Sequence, residues 1–261
     1  MSEPVSNVEA VPRCNHCGFG LIVTGQGERQ FLPDLFSVLT KFSGCSFKVI
    51  RKIDQRGPVT NRLRLKMVGS GSAILDKDEQ EIGLAARAFL RNHDCHFVIV
   101  IDDVESNRRE CIAEIWQRYR TAIDTMLLAD ERKRAAVHFL ANMLEAYYFA
   151  DCNAVNTALG AMVLPRDHVG DVEEIPHPKH ALEKAASATG TSFKERRDGG
   201  KIVQALDLER VLQRNDACAY LRSLFEWCVT RLLPNCPVWD PAIGTAFGIQ
   251  DGIKADLTRH Q

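Results

Sequence analysis

Two short stretches carry residues whose types and spacing suit phosphate chemistry. In Phe97-Val98-Ile99-Val100-Ile101-Asp102-Asp103-Val104-Glu105, five apolar residues run directly into three carboxylates within four positions. A continuous apolar run of this length reads as a buried strand of a parallel sheet. Ligand sites of open α/β sheets lie just beyond the carboxyl ends of such strands. Asp and Glu are hard oxygen donors of the kind that hold Mg²⁺ or Mn²⁺. Clustered carboxylates repel one another, so burying them together calls for a cation or for hydrogen-bond donors. The plainer alternative is a polar loop whose acid caps the next helix.

The second stretch is Thr24-Gly25-Gln26-Gly27-Glu28, directly after the apolar run 20–23. A glycine-bearing turn from strand to helix can present backbone N–H groups to a phosphate. It is not a Walker A loop, because no Gly-Lys-Ser/Thr follows, and its GxGxxG is incomplete. A simple tight turn is the competing reading. With both turns at one sheet edge, Glu28 and the acids 102, 103 and 105 would share one or two divalent ions.

The elements that must position these residues follow from periodicity. Strands are expected at 20–23, 46–53, 97–101 and 135–140. Helices are expected at 28–41, 76–92, 107–128 and 143–150; the first carries Phe31, Leu32, Leu35, Phe36 and Leu39 on one face. Alternating strands and helices imply an α/β fold with a mainly parallel sheet flanked by helices. After Asp151 the pattern turns mostly helical, with helices at 181–188, 206–212 and 217–233, a loop at 171–179 and a turn at Asp198-Gly199-Gly200. The expected organisation is an α/β core over 18–152, a helical extension packed on it over 153–233, and an irregular tail over 234–261.

Bulk properties bound the function. Lys plus Arg total 33 against 34 Asp plus Glu, which gives no general electrostatic grip on nucleic acid, although a local patch is compatible with it. Arg56, Arg62, Arg64 and Lys66 form such a patch in a Gly-containing segment. The apolar runs are too short to span a membrane, and residues 1–11 carry acids and no signal-type apolar core, so a cytoplasmic protein is expected. The nine cysteines are scattered and odd in number, which argues against a disulfide scaffold. Cys14-Asn15-His16-Cys17 is the only CxxC, and no second close pair follows to complete a zinc site.

In order of elements and in motif, the chain resembles the Toprim proteins, the Mg²⁺-dependent catalytic cores of topoisomerases, primases and certain nucleases. More specifically it is similar to a bacterial Toprim-like domain of unknown function, the family numbered 4276. The residues that carry the resemblance are Val23-Thr24-Gly25-Gln26-Gly27-Glu28, Ile101-Asp102-Asp103-Val104-Glu105, Glu145-Ala146-Tyr147-Tyr148-Phe149-Ala150-Asp151 and Pro178-Lys179. The resemblance spans about residues 20–233. It implies a Toprim fold, divalent-metal phosphoryl transfer and a nucleic-acid substrate. It also implies an AAA- or ABC-type ATPase encoded nearby, in settings suggestive of phage defence. One departure matters: Toprim catalysis uses a glutamate as general acid/base where this chain has Thr24, whose hydroxyl does not titrate near neutral pH. Glu28 matches the family's second glutamate. Successive strand residues face opposite ways, so Asp103 and Glu105 are the expected co-ligands if the strand stays extended, with Asp102 turned elsewhere.

The full set of candidates is therefore Glu28, Asp103, Glu105 and Lys179 for catalysis, and Glu28, Asp102, Asp103, Glu105 and Glu145 for Mg²⁺ or Mn²⁺. Glu145 is either a further ligand or a partner of core backbone; Asp151 reads as a helix cap. Tyr147, Tyr148 and Phe149 read as core, Lys179 and Lys201 as phosphate-stabilising or merely solvated, and His177 and His180 flank Lys179. The serines and cysteines show no nucleophile elbow. The leading expectation is a Toprim-fold nuclease, with homo-oligomerisation compatible. The alternatives are a catalytically incomplete module that docks on an ATPase, and an enzyme acting on a nucleotide phosphate.

Overall fold

The computed structural model describes residues 14–58, 75–235 and 252–258. The first half is built from β1 (Cys17–Val23), α1 (Gln26–Leu35), α2 (Ser37–Phe42), β2 (Cys45–Lys52), α3 (Lys77–Leu90), β3 (His96–Val104), α4 (Ile112–Met126), α5 (Ala129–Arg132) and β4 (Ala135–Ala141). The four strands form one sheet in the order β2-β1-β3-β4, and every pairing is parallel. β1 and β4 are buried along their whole length, whereas the edge strand β2 alternates buried and exposed residues. Strands covered on both faces must be apolar throughout, which is why β1, β3 and β4 read as continuous apolar runs.

From β1 the chain moves outward to β2 and then returns across the sheet to β3. The direction of winding thus reverses between β1 and β3, and a crevice opens there at the carboxyl ends of the strands. β3 runs on to Val104, beyond the expected end at 101, because Asp102 and Asp103 continue the ladder opposite Phe139 and Leu140 of β4. The acids therefore sit on a strand, fixed by pairing, rather than in a loop.

The expected helix 28–41 is two helices that turn at Phe36, whose ring stacks 4.1 Å from Phe47 and 5.2 Å from Phe225. The expected helix 107–128 begins instead as a 3-10 turn, Ser106–Cys111. The tighter turn accompanies Arg108 folding back onto the end of β3. α3 carries a capping box in which Asp76 accepts the Glu79 N–H and Glu79 accepts the Asp76 N–H. Residues 144–150 form a 3-10 segment rather than an α-helix.

The second half is helical: α6 (Cys152–Leu159), α7 (Pro178–Ala188), α8 (Glu195–Ala205), α9 (Leu208–Leu212) and α10 (Ala219–Asn235). These helices cover one sheet face, where Phe19, Leu21 and Ile99 join Leu221, Phe225 and Trp227 in one apolar cluster. The other face buries Ile22, Val98 and Val100 against Ile82 of α3 and Ile115 and Tyr119 of α4. The result is a three-layer α/β fold. Asp198-Gly199-Gly200, expected as a turn, lies inside α8. A Cβ on Gly199 would stand 2.9 Å from the Phe31 ring, so the glycine serves close helix packing against α1. In the C-terminal segment, Ala255 is buried and its N–H donates to Ser223 Oγ (2.8 Å). Among the described residues no helix is long and apolar enough to cross a membrane.

Candidate functional site

The end of β3 separates two adjacent carboxylates into different environments. Asp102 is fully buried and accepts from Thr24 Oγ1 (2.9 Å), Tyr119 Oη (2.9 Å) and both Arg108 guanidinium nitrogens (3.2 and 2.6 Å). Arg108 also donates to the backbone carbonyls of Asp103 and Arg56, and Tyr119 Oη accepts the Arg56 N–H. Both Asp102 oxygens are thus committed to protein donors, and the residue is a post that ties β1, β3 and α4 together. Thr24, at the position where the resemblance implies a catalytic glutamate, belongs to this post.

Asp103, on the opposite side of β3, is buried beside Glu28. Its Oδ1 accepts one bond, the Met143 N–H at 2.7 Å. That N–H is aimed by left-handed backbone at Asn142 (φ 55°) and Met143 (φ 75°), a strained pair next to the acids. Burial and then the neighbouring Glu28 charge push the Asp103 carboxyl up from 3.8 to about 8.

Glu28 stands in the first turn of α1, where a helix N-terminus favours an anion. Burial, followed by the charges of Glu195 and Asp102, nevertheless raises its pKa. Both glycines of the turn are explained by carboxylates. A Cβ on Gly25 would lie 1.6 Å from a Glu28 carboxylate oxygen, and one on Gly27 would lie 2.7 Å from a Glu195 oxygen. The glycines leave room for acids.

Glu145, buried in the 3-10 segment, joins the same group. Burial, with Glu195 and Glu28 adding repulsion, lifts it from 4.5 to about 7. Glu28, Asp103, Glu145 and Glu195 therefore share one electrostatic neighbourhood at the strand ends. Among them Glu28, Asp103 and Glu145 are all raised, and their proton affinities are coupled. The group's counter-charges are Lys179, paired with Glu195 at 2.5 Å and raised chiefly by that bond, and Lys52, which acts on Glu28.

Glu105 is exposed at the start of the 3-10 turn and contributes only repulsion to Asp103, so it is at the rim rather than paired with Asp103 inside. It lines a cleft of about 220 Å³ with Asn142, Met143, His177 and Lys179. His177 also has left-handed backbone (φ 49°). Arg56 is committed to Asp76 and Asp78, and Arg62, Arg64 and Lys66 lie outside the described residues, so the expected basic steering patch is not assembled from Arg56. Lys201 is exposed on α8. Asp151 caps α6 through the Asn153 and Ala154 N–H groups and also accepts from Asp207. Tyr147 and Tyr148 are core residues.

Glu195 escaped the sequence reading. It follows no strand and no motif; the only signal was its place three residues before Asp198-Gly199-Gly200, a glycine pair that packs its helix against α1.

Hard, mostly buried carboxylate oxygens in excess of nearby cations are the donor chemistry Mg²⁺ or Mn²⁺ takes. Among the described residues the cluster does not bring three carboxylates within 4.8 Å of one another; Cys14, His93 and Cys95, at the other end of the sheet, do meet that distance. Mg²⁺ keeps several waters and needs only one or two protein carboxylates, so it does not require three to converge that closely.

The fold and the acids define a parallel α/β protein with an acidic site at its topological switch point. The chain belongs to a domain family of unknown function (DUF4276), whose pattern matches residues 23–227. No curated protein and no solved structure matches it.

Proposed function

We propose that this chain is a Toprim-like, divalent-metal-dependent phosphoryl-transfer protein, a nuclease that works with an AAA- or ABC-type ATPase in anti-phage defence in the cytoplasm. The observation that carries the chemistry is the group of Glu28, Asp103, Glu145 and Glu195 at the strand ends, where the acids outnumber their counter-charges Lys179 and Lys52. Glu28 and Asp103, with Glu145 beside them, are the residues that would hold Mg²⁺ or Mn²⁺. A cation there would neutralise phosphate charge and lower the pKa of a bound water. Without metal, burial holds the Asp103 and Glu145 carboxyls up at about 8 and about 7, so a cation bound there would displace a proton. Lys179, at the cleft rim, supplies positive charge toward a phosphate while holding Glu195. The nucleic-acid, ATPase and defence assignments rest on the motif resemblance.

The test is cleavage of DNA and RNA with Mg²⁺ or Mn²⁺, alone and with the neighbouring ATPase. Glu28→Gln keeps an oxygen donor and the shape but cannot exchange a proton. Loss of parental cleavage with metal binding retained supports Glu28 as the acid/base residue.

A second reading is a regulatory module docked on the ATPase. It is favoured by Thr24, whose hydroxyl donates to Asp102 and supplies no acid/base group. A parent inactive under every condition yet bound to the ATPase would establish that reading over the first.

A further inference from the structure

At the amino ends of the strands, Cys14, His93 and Cys95 each place a ligand atom within 4.8 Å of the others. They come from two parts of the sequence, Cys14 from one and His93 with Cys95 from the other. Cys14 precedes β1, and its N–H donates to the Asn235 carbonyl at the end of α10 (3.0 Å). Cys95 precedes β3, and its carbonyl accepts the Gly18 N–H (3.0 Å). Gly18 pairs with His96 in the β1–β3 register, so the two strand starts are adjacent. The carboxylates lie at the other end of the same strands, about 20 Å away for a seven-residue strand. The CxxC of the sequence is thus divided: Cys14 is joined to Cys95 as a disulfide, with Cα atoms 6.3 Å apart, and Cys17 begins β1.

We propose that, in the reduced chain, Cys14, Cys95 and His93 bind zinc at this edge. Two thiolates and an imidazole are a soft donor set that selects zinc over the hard cations suited to the carboxylate site. His93 Nδ1 accepts the Cys95 N–H at 3.1 Å. Zinc binding through Nδ1 would exchange that hydrogen bond for the metal, and binding through Nε2 would leave it in place. Disulfide formation removes two electrons and two protons and needs an oxidant, whereas zinc binding only releases the two thiol protons to solvent. Three protein ligands leave one tetrahedral position for a further donor. The ion would staple the segment before β1 to the turn before β3, stabilising the folded chain by mass action.

The experiment purifies the full chain under reducing conditions and measures zinc per chain, titrates thiols after denaturation, and records the absorption spectrum after replacement of zinc by cobalt. The expected result is one zinc per chain, a cobalt–thiolate charge-transfer band, and weakening of zinc binding by tenfold or more in His93→Ala. Asp103→Asn should leave the band unchanged, separating this site from the carboxylates. A metal-free chain with two thiols missing shows the disulfide and overturns the proposal. A metal-free chain with all thiols present overturns it also, as does unchanged zinc affinity in His93→Ala. If His93→Ala misfolds, the cobalt spectrum of the parent decides alone: no thiolate band overturns the site.

Discussion

Asp102 and Asp103 are neighbours on one strand, yet the two sides of β3 treat them in opposite ways. On one side a full set of donors meets Asp102: a hydroxyl, a phenol and a guanidinium fork. On the other side Asp103 receives one backbone N–H and faces Glu28, with Glu145 and Glu195 close behind. A buried carboxylate that is fully partnered is part of the scaffold. One buried among like charges is costly to ionise and is stabilised by an incoming cation. Strand pleat sends the two side chains to opposite faces, and the elements packed on each face complete the division.

The largest expected effect tests the partnered side. Asp102→Ala leaves the Arg108 guanidinium and Tyr119 hydroxyl without their acceptor, and removing one member of a buried pair costs about 3–5 kcal/mol. Urea unfolding should show that loss. Asp103→Asn, one residue away, should leave stability unchanged or raised at neutral pH, since it removes the cost of holding in the fold a proton that the unfolded chain releases. Equal losses in the two variants would erase the distinction.

The second expectation is a pH dependence of opposite sign to that of a salt-bridged acid. The Asp103 value rises from 3.8 to about 8 and that of Glu145 from 4.5 to about 7. Between those limits the folded chain holds protons that the unfolded chain has released, so folding stability falls as pH rises. Without added metal, the melting temperature should decline from acid toward pH 8, and Asp103→Asn should flatten the decline. A melting temperature that climbs over this range would show the carboxylates to be compensated.

Mn²⁺ should reverse that decline. Binding to the folded state alone adds about 2.7 kcal/mol at a hundredfold excess over Kd. Asp103→Ala should abolish the Mn²⁺ shift while the chain still folds. A shift equal to the parent's would place the ion elsewhere.

The sequence announced the sheet and half of the site. Four strands were legible because fully buried strands must be continuously apolar, and the βα alternation dictated parallel pairing. The boundary of β3 was not, since only pairing with β4 keeps Asp102 and Asp103 extended. Glu28, Asp103 and Glu145 were visible as acids near strand ends. The commitment of Asp102 was not visible, because Arg108 and Tyr119 reach it from a 3-10 turn and a helix whose geometry no local pattern specifies. Glu195 arrives from α8, far along the chain, and only the packing of Gly27 beneath it records the contact.

The smallest expected effect concerns the rim. Glu105 is exposed, so Glu105→Gln should change stability by no more than about 0.5 kcal/mol, as surface substitutions generally do. Strand alternation extended past Val104 would make Glu105 a partner of Asp103, but β3 ends at Val104 and the chain turns away into the 3-10 segment. The Mn²⁺ shift should therefore survive in Glu105→Gln and be lost in Glu28→Ala, because Glu28 is the buried acid whose charge acts most strongly on Asp103. Loss of the shift in Glu105→Gln with retention in Glu28→Ala would invert the assignment: the ion would then sit at the cleft mouth, held by Asp103 and Glu105, and the buried acids behind it would be a charge reservoir rather than ligands.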